Sequence, residues 1–125
     1  MNKNVLVLAY LGDSIYEFYI RKYLIEKNIV RVNDLQRESI KYVSAKAQSK
    51  YLKELMNNNY FKEEELDIII KARNHKCNHK PKNCDIITYK YATGFEALIG
   101  YLYYNNNINR IEEIIDYITK KELIG

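Results

Sequence analysis

With 125 residues, 47% of them hydrophobic and 29% charged, the chain is long enough for one domain with its own core and too apolar to be disordered. Its apolar runs are too short to span a bilayer, the N-terminus lacks a signal-peptide layout, and two cysteines make no disulfide framework; a cytoplasmic protein without a membrane partner is expected. A net charge of +4 leans toward polyanions, but Lys, Asn, Ile and Tyr are abundant throughout, so only their clusters carry weight.

One proline and four glycines leave little of the punctuation a β-protein needs, and helical periodicity dominates. The spacing predicts a first helix from about Val5 to Lys27, with Leu8, Leu11, Ile15 and Phe18 as its core stripe. Asn33 and Gln36 read as a capping box that opens a second helix ending near Val43. Ser44 is placed to cap a third, running to about Met56, and Asn57–Asn59 reads as a turn. A helix over Glu63–Arg73 carries acids at its start, where the helix dipole favours them. His75–Asp85, which holds the sole proline, Pro81, is the one long irregular segment. An apolar helix follows over Ile86–Tyr104, with Tyr101, Tyr103 and Tyr104 as packing residues. Asn105–Asn107 ends it, and Asn109 with Glu112 forms a second capping box for a last helix, Arg110–Glu122. Residues 1–125 thus read as a single all-α domain.

Two helices carry acids in apolar surroundings. The first is apolar nearly all round, with Leu6, Ala9, Tyr10, Tyr16 and Ile20 away from the predicted stripe, yet it holds Asp13 and Glu17 four residues apart. In Phe95–Leu102, Glu96 is the lone charge. Carboxylates enter such places when they pair with a base, reach water or bind metal. If Asp13 and Glu96 face each other across a cleft, Mg²⁺ suits them, since it takes a few carboxylates plus waters and phosphate oxygens.

Leu11-Gly12-Asp13-Ser14-Ile15 resembles the signature helix of the ribonuclease III superfamily, and Phe95-Glu96-Ala97-Leu98-Ile99-Gly100 resembles its second metal-binding motif. Tyr16-Glu17, Val43-Ser44-Ala45-Lys46-Ala47-Gln48, Arg73-Asn74 and Pro81-Lys82-Asn83 are similar to the Mini-III branch, which consists of the catalytic domain alone; the resemblance covers about Val5 to Ile118. It implies an all-α homodimer that cuts double-stranded RNA by metal-assisted hydrolysis, leaving a 5′-phosphate and a 3′-hydroxyl, in maturation of the large ribosomal RNA. By position it makes Asp13 and Glu96 the catalytic metal ligands for Mg²⁺, with Mn²⁺ able to substitute, and it calls for no small-molecule cofactor. The full ribonuclease III pattern has further acids where this chain has Ala9 and Thr93, as Mini-III does. Glu17, one turn beyond Asp13, either compensates as a further metal ligand or pairs with a nearby base. The absent acids also leave open a non-cleaving RNA-binding module.

From Lys71 to Cys84 the chain carries Lys71, Arg73, Lys76, Lys80 and Lys82 and no acid. Such an island suits the backbone of duplex RNA, so Arg73, Asn74, Lys76, Lys80 and Lys82 are candidate RNA contacts. Lys46 and Lys50, on one helix face, form a second strip. The same expressions describe an ordinary solvated loop and helix exterior. His75, Cys77, His79 and Cys84 fall within ten residues, but their spacing matches neither a zinc finger nor a ribbon, and no zinc site is expected.

Overall fold

A chain this poor in glycine ends its helices on asparagine. The structure, a computed structural model, describes residues 4–75 and 84–124, with side chains as far as Lys120. Among them are α1 (Val5–Glu26), α2 (Val32–Val43), α3 (Ala45–Asn57), α4 (Glu63–Arg73), α5 (Ile86–Tyr104) and α6 (Ile108–Ile124). Asn28, Asn59 and Asn106 take positive φ (66°, 54° and 59°) just past α1, α3 and α5. Asparagine tolerates this left-handed geometry, which lets Tyr60 N–H and Asn107 N–H reach back to the Leu55 and Leu102 carbonyls at 3.1 and 2.8 Å. No described helix is long and apolar enough to cross a membrane.

α5 is the axis of the molecule. Leu8 and Gly12 of α1 meet Gly100 and Glu96, Ile69 and Arg73 of α4 meet Gly94 and Tyr91, and Gln48 and Lys53 of α3 meet Glu96 and Tyr91. In each pair one number rises as the other falls, so α1, α3 and α4 all run antiparallel to α5. Phe95, Leu98, Ile99 and Leu102 are buried with Tyr16, Ile20 and Leu24 of α1, Leu52 and Leu55 of α3, Ile69 of α4 and Ile111, Ile114 and Ile118 of α6. Tyr16 meets Phe95 edge-on at 4.9 Å, and its hydroxyl donates to the Tyr42 carbonyl at 2.8 Å, closing the one polar need of a fully buried ring.

The predicted α3, α4 and α5 agree closely with the structure, and Ser44 Oγ accepts from Ala47 N–H at 3.2 Å as its cap. Neither predicted capping box forms. α2 starts at Val32 behind an extended Arg31 with no side-chain cap, and α6 starts at Ile108, so Asn33 and Asn109 lie inside their helices. The core stripe of α1 also differs. Its buried residues are Leu8, Ala9, Gly12, Tyr16, Ile20 and Leu24, whereas Phe18 is 61% exposed. With apolar residues on every side, periodicity had two candidate faces, and the glycine that lets α5 approach decided between them. Tyr103 and Tyr104 are 41% and 45% exposed, so only Tyr101 of that trio packs onto the core.

α6 is secured to α4 by charge. Arg110 donates from Nε and Nη2 to the two Glu65 carboxylate oxygens at 2.9 and 2.8 Å, and from Nη2 to the Tyr60 carbonyl at 2.8 Å, while stacking 4.0 Å over the Tyr60 ring. The side chains keep only 12% and 2% of their exposure. Burial pushes the Glu65 carboxyl upward, but Arg110 and the Lys62 N–H outweigh it and hold it below the ordinary carboxylate value. Arg110→Ala leaves that carboxylate buried and unpaired, and is expected to cost about 3–5 kcal/mol in urea unfolding at neutral pH. The depressed value stabilises the wild type at neutral pH and loses that contribution as pH falls through it. The variant's deficit should therefore shrink as pH falls into the acid range, where its unpaired Glu65 takes up a proton. An unfolding midpoint equal to wild type at pH 7 would remove this clamp from the account.

Candidate active site

The crossing of α1 and α5 is made by two glycines. A Cβ at Gly12 would overlap the Glu96 carbonyl oxygen and lie 2.7 Å from the Gly100 amide nitrogen; one at Gly100 would overlap the Leu8 carbonyl oxygen and lie 3.1 Å from the Gly12 nitrogen. The two backbones touch, as only glycine allows. Beside this contact Ala9 and Ala97 pack with Ala72 of α4. Asp13 follows Gly12 in sequence and Glu96 precedes Gly100 by one turn, so this close approach sets the two carboxyl groups against each other.

Asp13 lies on the exposed edge and Glu96 is half-buried. The two carboxyl groups are within hydrogen-bonding reach, and the Glu96 carboxyl is pushed up to about 8, first by burial and then by its hydrogen bond to Asp13 and that residue's charge. A hydrogen bond from the Gln48 side chain pulls the other way. Gln48, buried at the start of α3, also donates from Nε2 to the Val43 carbonyl at 3.2 Å, and its Oε1 is buried with no partner.

The arrangement fits a hard cation. Two carboxyl groups in hydrogen-bonding contact ionise together only at a cost, which a positive charge between them removes. The donor set is all oxygen, as Mg²⁺ or Mn²⁺ prefers. Among the described residues no three His, Cys, Asp or Glu side chains gather closely enough to hold a metal, and Asp13 and Glu96 meet as a pair. Glu17 is engaged elsewhere, accepting from Arg21 Nη2 at 3.1 Å. The positions of the absent acids have other uses: the Ala9 methyl sits in the small-residue contact of α1, α4 and α5, and Thr93 Oγ1 turns back to the Tyr89 carbonyl at 3.0 Å.

The raised Glu96 value gives a pH signature. An unfolded glutamate titrates near 4.5 and this one near 8, so the folded chain holds an extra proton across that window and loses stability as pH rises through it. A cation must displace that proton. Mg²⁺ affinity, read by calorimetry in buffers of different ionisation enthalpy, should rise about tenfold per pH unit toward pH 8 and then level, with about one proton released below pH 7. Affinity that does not change between pH 6 and 8 would mean Glu96 is not the group displaced.

Of the candidate RNA contacts, Lys46 and Lys50 are exposed on α3, Arg73 is half-buried at the end of α4, and Asn74 caps that helix, its Oδ1 accepting from Arg73 Nε at 3.3 Å. Lys76, Lys80 and Lys82 lie outside the described residues, as do Cys77 and His79 of the discounted zinc cluster. His75 is exposed, and the Cys84 thiol lies against the Asp85 carbonyl at 3.2 Å. Gln48 closes the Val43–Gln48 stretch that resembles Mini-III, yet sequence reasoning assigns it no site role, because a neutral amide carries no charge anomaly.

The fold and the paired carboxylates define a nuclease class, and comparison with known proteins agrees: the model of the Ribonuclease III domain family matches residues 6–107. A crystal structure of a Fusobacterium nucleatum protein superposes with a TM-score of 0.87 at 35% identity, covering 97% of this chain and 95% of that one. The Mini-ribonuclease 3 of Brevibacillus brevis is 48% identical over 90% of this chain and 82% of its own length. That of Streptococcus pneumoniae is 39% identical over 94% and 92%. The chain belongs to the ribonuclease III domain family and, within it, to the Mini-ribonuclease 3 group.

Proposed function

We infer that the protein is an endoribonuclease that hydrolyses phosphodiester bonds of double-stranded RNA with Mg²⁺ and acts in maturation of large-subunit ribosomal RNA. The observation that carries this reading is the Asp13–Glu96 contact, a pair of carboxyl groups whose shared charge a cation would offset, in a chain of the Mini-ribonuclease 3 group. Asp13 and Glu96 would hold the metal, with Mn²⁺ an acceptable substitute, and Glu17 would have to release Arg21 to join them. When bound, the cation supplies an acidified water and neutralises charge on the phosphodiester. Gln48 fixes the Glu96 carboxyl from α3, and the α1–α5 glycine contact fixes its distance from Asp13. Lys46, Lys50, Arg73 and Asn74, with Lys76, Lys80 and Lys82, would engage the RNA backbone.

The active form would be a cytoplasmic homodimer. Val7, Tyr10, Phe18 and Ile25 make the outward side of α1 apolar, with Tyr10 84% exposed; α1 also carries Asp13, so pairing along this side would bring two sites together. A contiguous apolar stripe facing solvent is the kind of surface a partner covers. Pairing also extends the RNA contact, since two weak footprints on one duplex act jointly.

The test is incubation of the purified protein with end-labelled duplex RNA in Mg²⁺ and in EDTA, beside light scattering. Cutting only with Mg²⁺, by a species of twice 14.9 kDa, is the expected result. Binding without cutting at any Mg²⁺ or Mn²⁺ level would instead make this a non-cleaving RNA-binding module.

A further inference from the structure

Beyond the carboxylate pair, α3, α4 and α5 bring together a second cluster. Lys53 Nζ lies 4.7 Å and Arg73 Cζ 5.4 Å from the centroid of the same ring, that of Tyr91. We propose that Lys53, Tyr91 and Arg73 form a phosphate subsite for the RNA strand beside the point of cleavage, with Tyr91 the platform that holds the two cations together. The proposal rests on the ribonuclease reading above and assigns it a specific place of contact.

Two like charges over one ring repel each other. The π-face offsets part of that cost, about 0.5–1 kcal/mol per cation at an exposed site, but neutralises nothing. Among the described residues no carboxylate forms an ion pair with either cation. Glu54, next to Lys53, is drawn toward α6, where its carboxylate accepts from the Tyr117 hydroxyl at 3.3 Å. Asn74 Oδ1 takes Arg73 Nε at 3.3 Å, which orients the guanidinium and leaves its terminal nitrogens available. The cluster is thus a pre-oriented, uncompensated pair of positive charges, which an anion would complete.

Its position specifies which anion. α3 meets α5 at Gln48–Glu96 and again at Lys53–Tyr91, five residues on along α3 and five back along α5. At about 1.5 Å per residue the second contact lies roughly 7–8 Å from the first along the axis. In this proposal a strand whose scissile phosphate sits at Asp13 and Glu96 continues along the α3–α5 seam to Lys53 and Arg73. Lys46, Lys50 and Lys53 follow at i, i+4 and i+7 on α3, a strip that leads into the cluster. Tyr91 does not stack on a base, because duplex RNA hides its base faces.

The experiment measures duplex RNA binding against salt in EDTA, where no cutting occurs, for wild type, Lys53→Met, Lys53→Met/Arg73→Met, Tyr91→Leu and Tyr91→Phe. The double variant should bind at least about tenfold more weakly at 100 mM salt, with a log–log salt slope reduced by about two phosphate contacts. Tyr91→Leu should lose about three- to tenfold with the slope unchanged, because the charges remain and only their alignment is lost. Tyr91→Phe keeps the ring face and should bind as wild type does. Lys53 is exposed, so Lys53→Met folds and should show about one contact less in slope even if Tyr91→Leu fails to fold. Wild-type binding with an unchanged slope in both lysine variants overturns the subsite and leaves the ribonuclease reading intact. Absence of duplex binding by wild type overturns the reading itself and the subsite with it.

Discussion

Asp13→Asn is expected to fold and assemble as wild type does while its cleavage of duplex RNA in Mg²⁺ falls by about 10³-fold or more, equivalent to roughly 4 kcal/mol of barrier. The side chain is exposed, so the isosteric change creates no cavity and no buried orphan. What it removes is one of the two carboxylate charges that would hold the cation. The same change relieves Glu96 of a neighbouring negative charge, so at pH 8 the variant should melt no lower than wild type, and by the Coulomb argument slightly higher. Lost activity with undiminished stability separates a site residue from a structural one. If single-turnover cleavage by the variant stays within about tenfold of wild type, the centre is not at Asp13.

Gly100→Ala is expected to destabilise the fold by about 1–3 kcal/mol or more and to depress cleavage well beyond what the loss of folded protein explains. The added methyl meets the Leu8 carbonyl, a backbone atom of α1, so no side-chain rotation relieves it. α1 and α5 must separate, and Asp13 then moves away from Glu96. Gly94→Ala provides the control on the same helix. Its Cβ would meet the Ile69 carbonyl oxygen at 3.1 Å and the Ile69 and Leu52 side chains at 3.3 and 3.7 Å, a tight fit that small shifts accommodate. Gly94 faces α4 and α3 rather than α1, so that variant should keep most of its activity at comparable folded fraction. Urea unfolding and Mg²⁺-dependent cleavage on all three proteins decide the matter. Wild-type stability and cleavage in Gly100→Ala would show that the glycine contact does not set the carboxylate spacing.

Much of the site was legible in the sequence because charge stands out against an apolar helix. Glu96 is the only ionisable group of its stretch apart from tyrosine hydroxyls, and Asp13 sits in a helix apolar on every side. Those two anomalies, in motifs of the ribonuclease III kind, were enough to name the pair that the structure sets within hydrogen-bonding reach. Glu17 carried the same signal, yet its partner depends on rotamer and register: with Arg21 one turn away, the local i, i+4 pair forms. Gln48 stood in a stretch of Mini-III resemblance but carried no charge signal, and an amide's role becomes plain only when its neighbours are known.

The sequence by itself determined the helical class, the extents of α3, α4 and α5, and the asparagine runs that stop α3 and α5, all properties set within a few residues of chain. The starts of α2 and α6 escaped it, since several residues there could cap and tertiary packing chose among them. Only the tertiary structure decided which face of α1 is core, because a helix apolar all round has no preferred side until a neighbour docks. That neighbour is α5, admitted by Gly12 and Gly100, and its approach leaves Phe18 and Tyr10 outside. It also sets Asp13 against Glu96, 83 residues apart in the chain, a juxtaposition that local periodicity cannot encode.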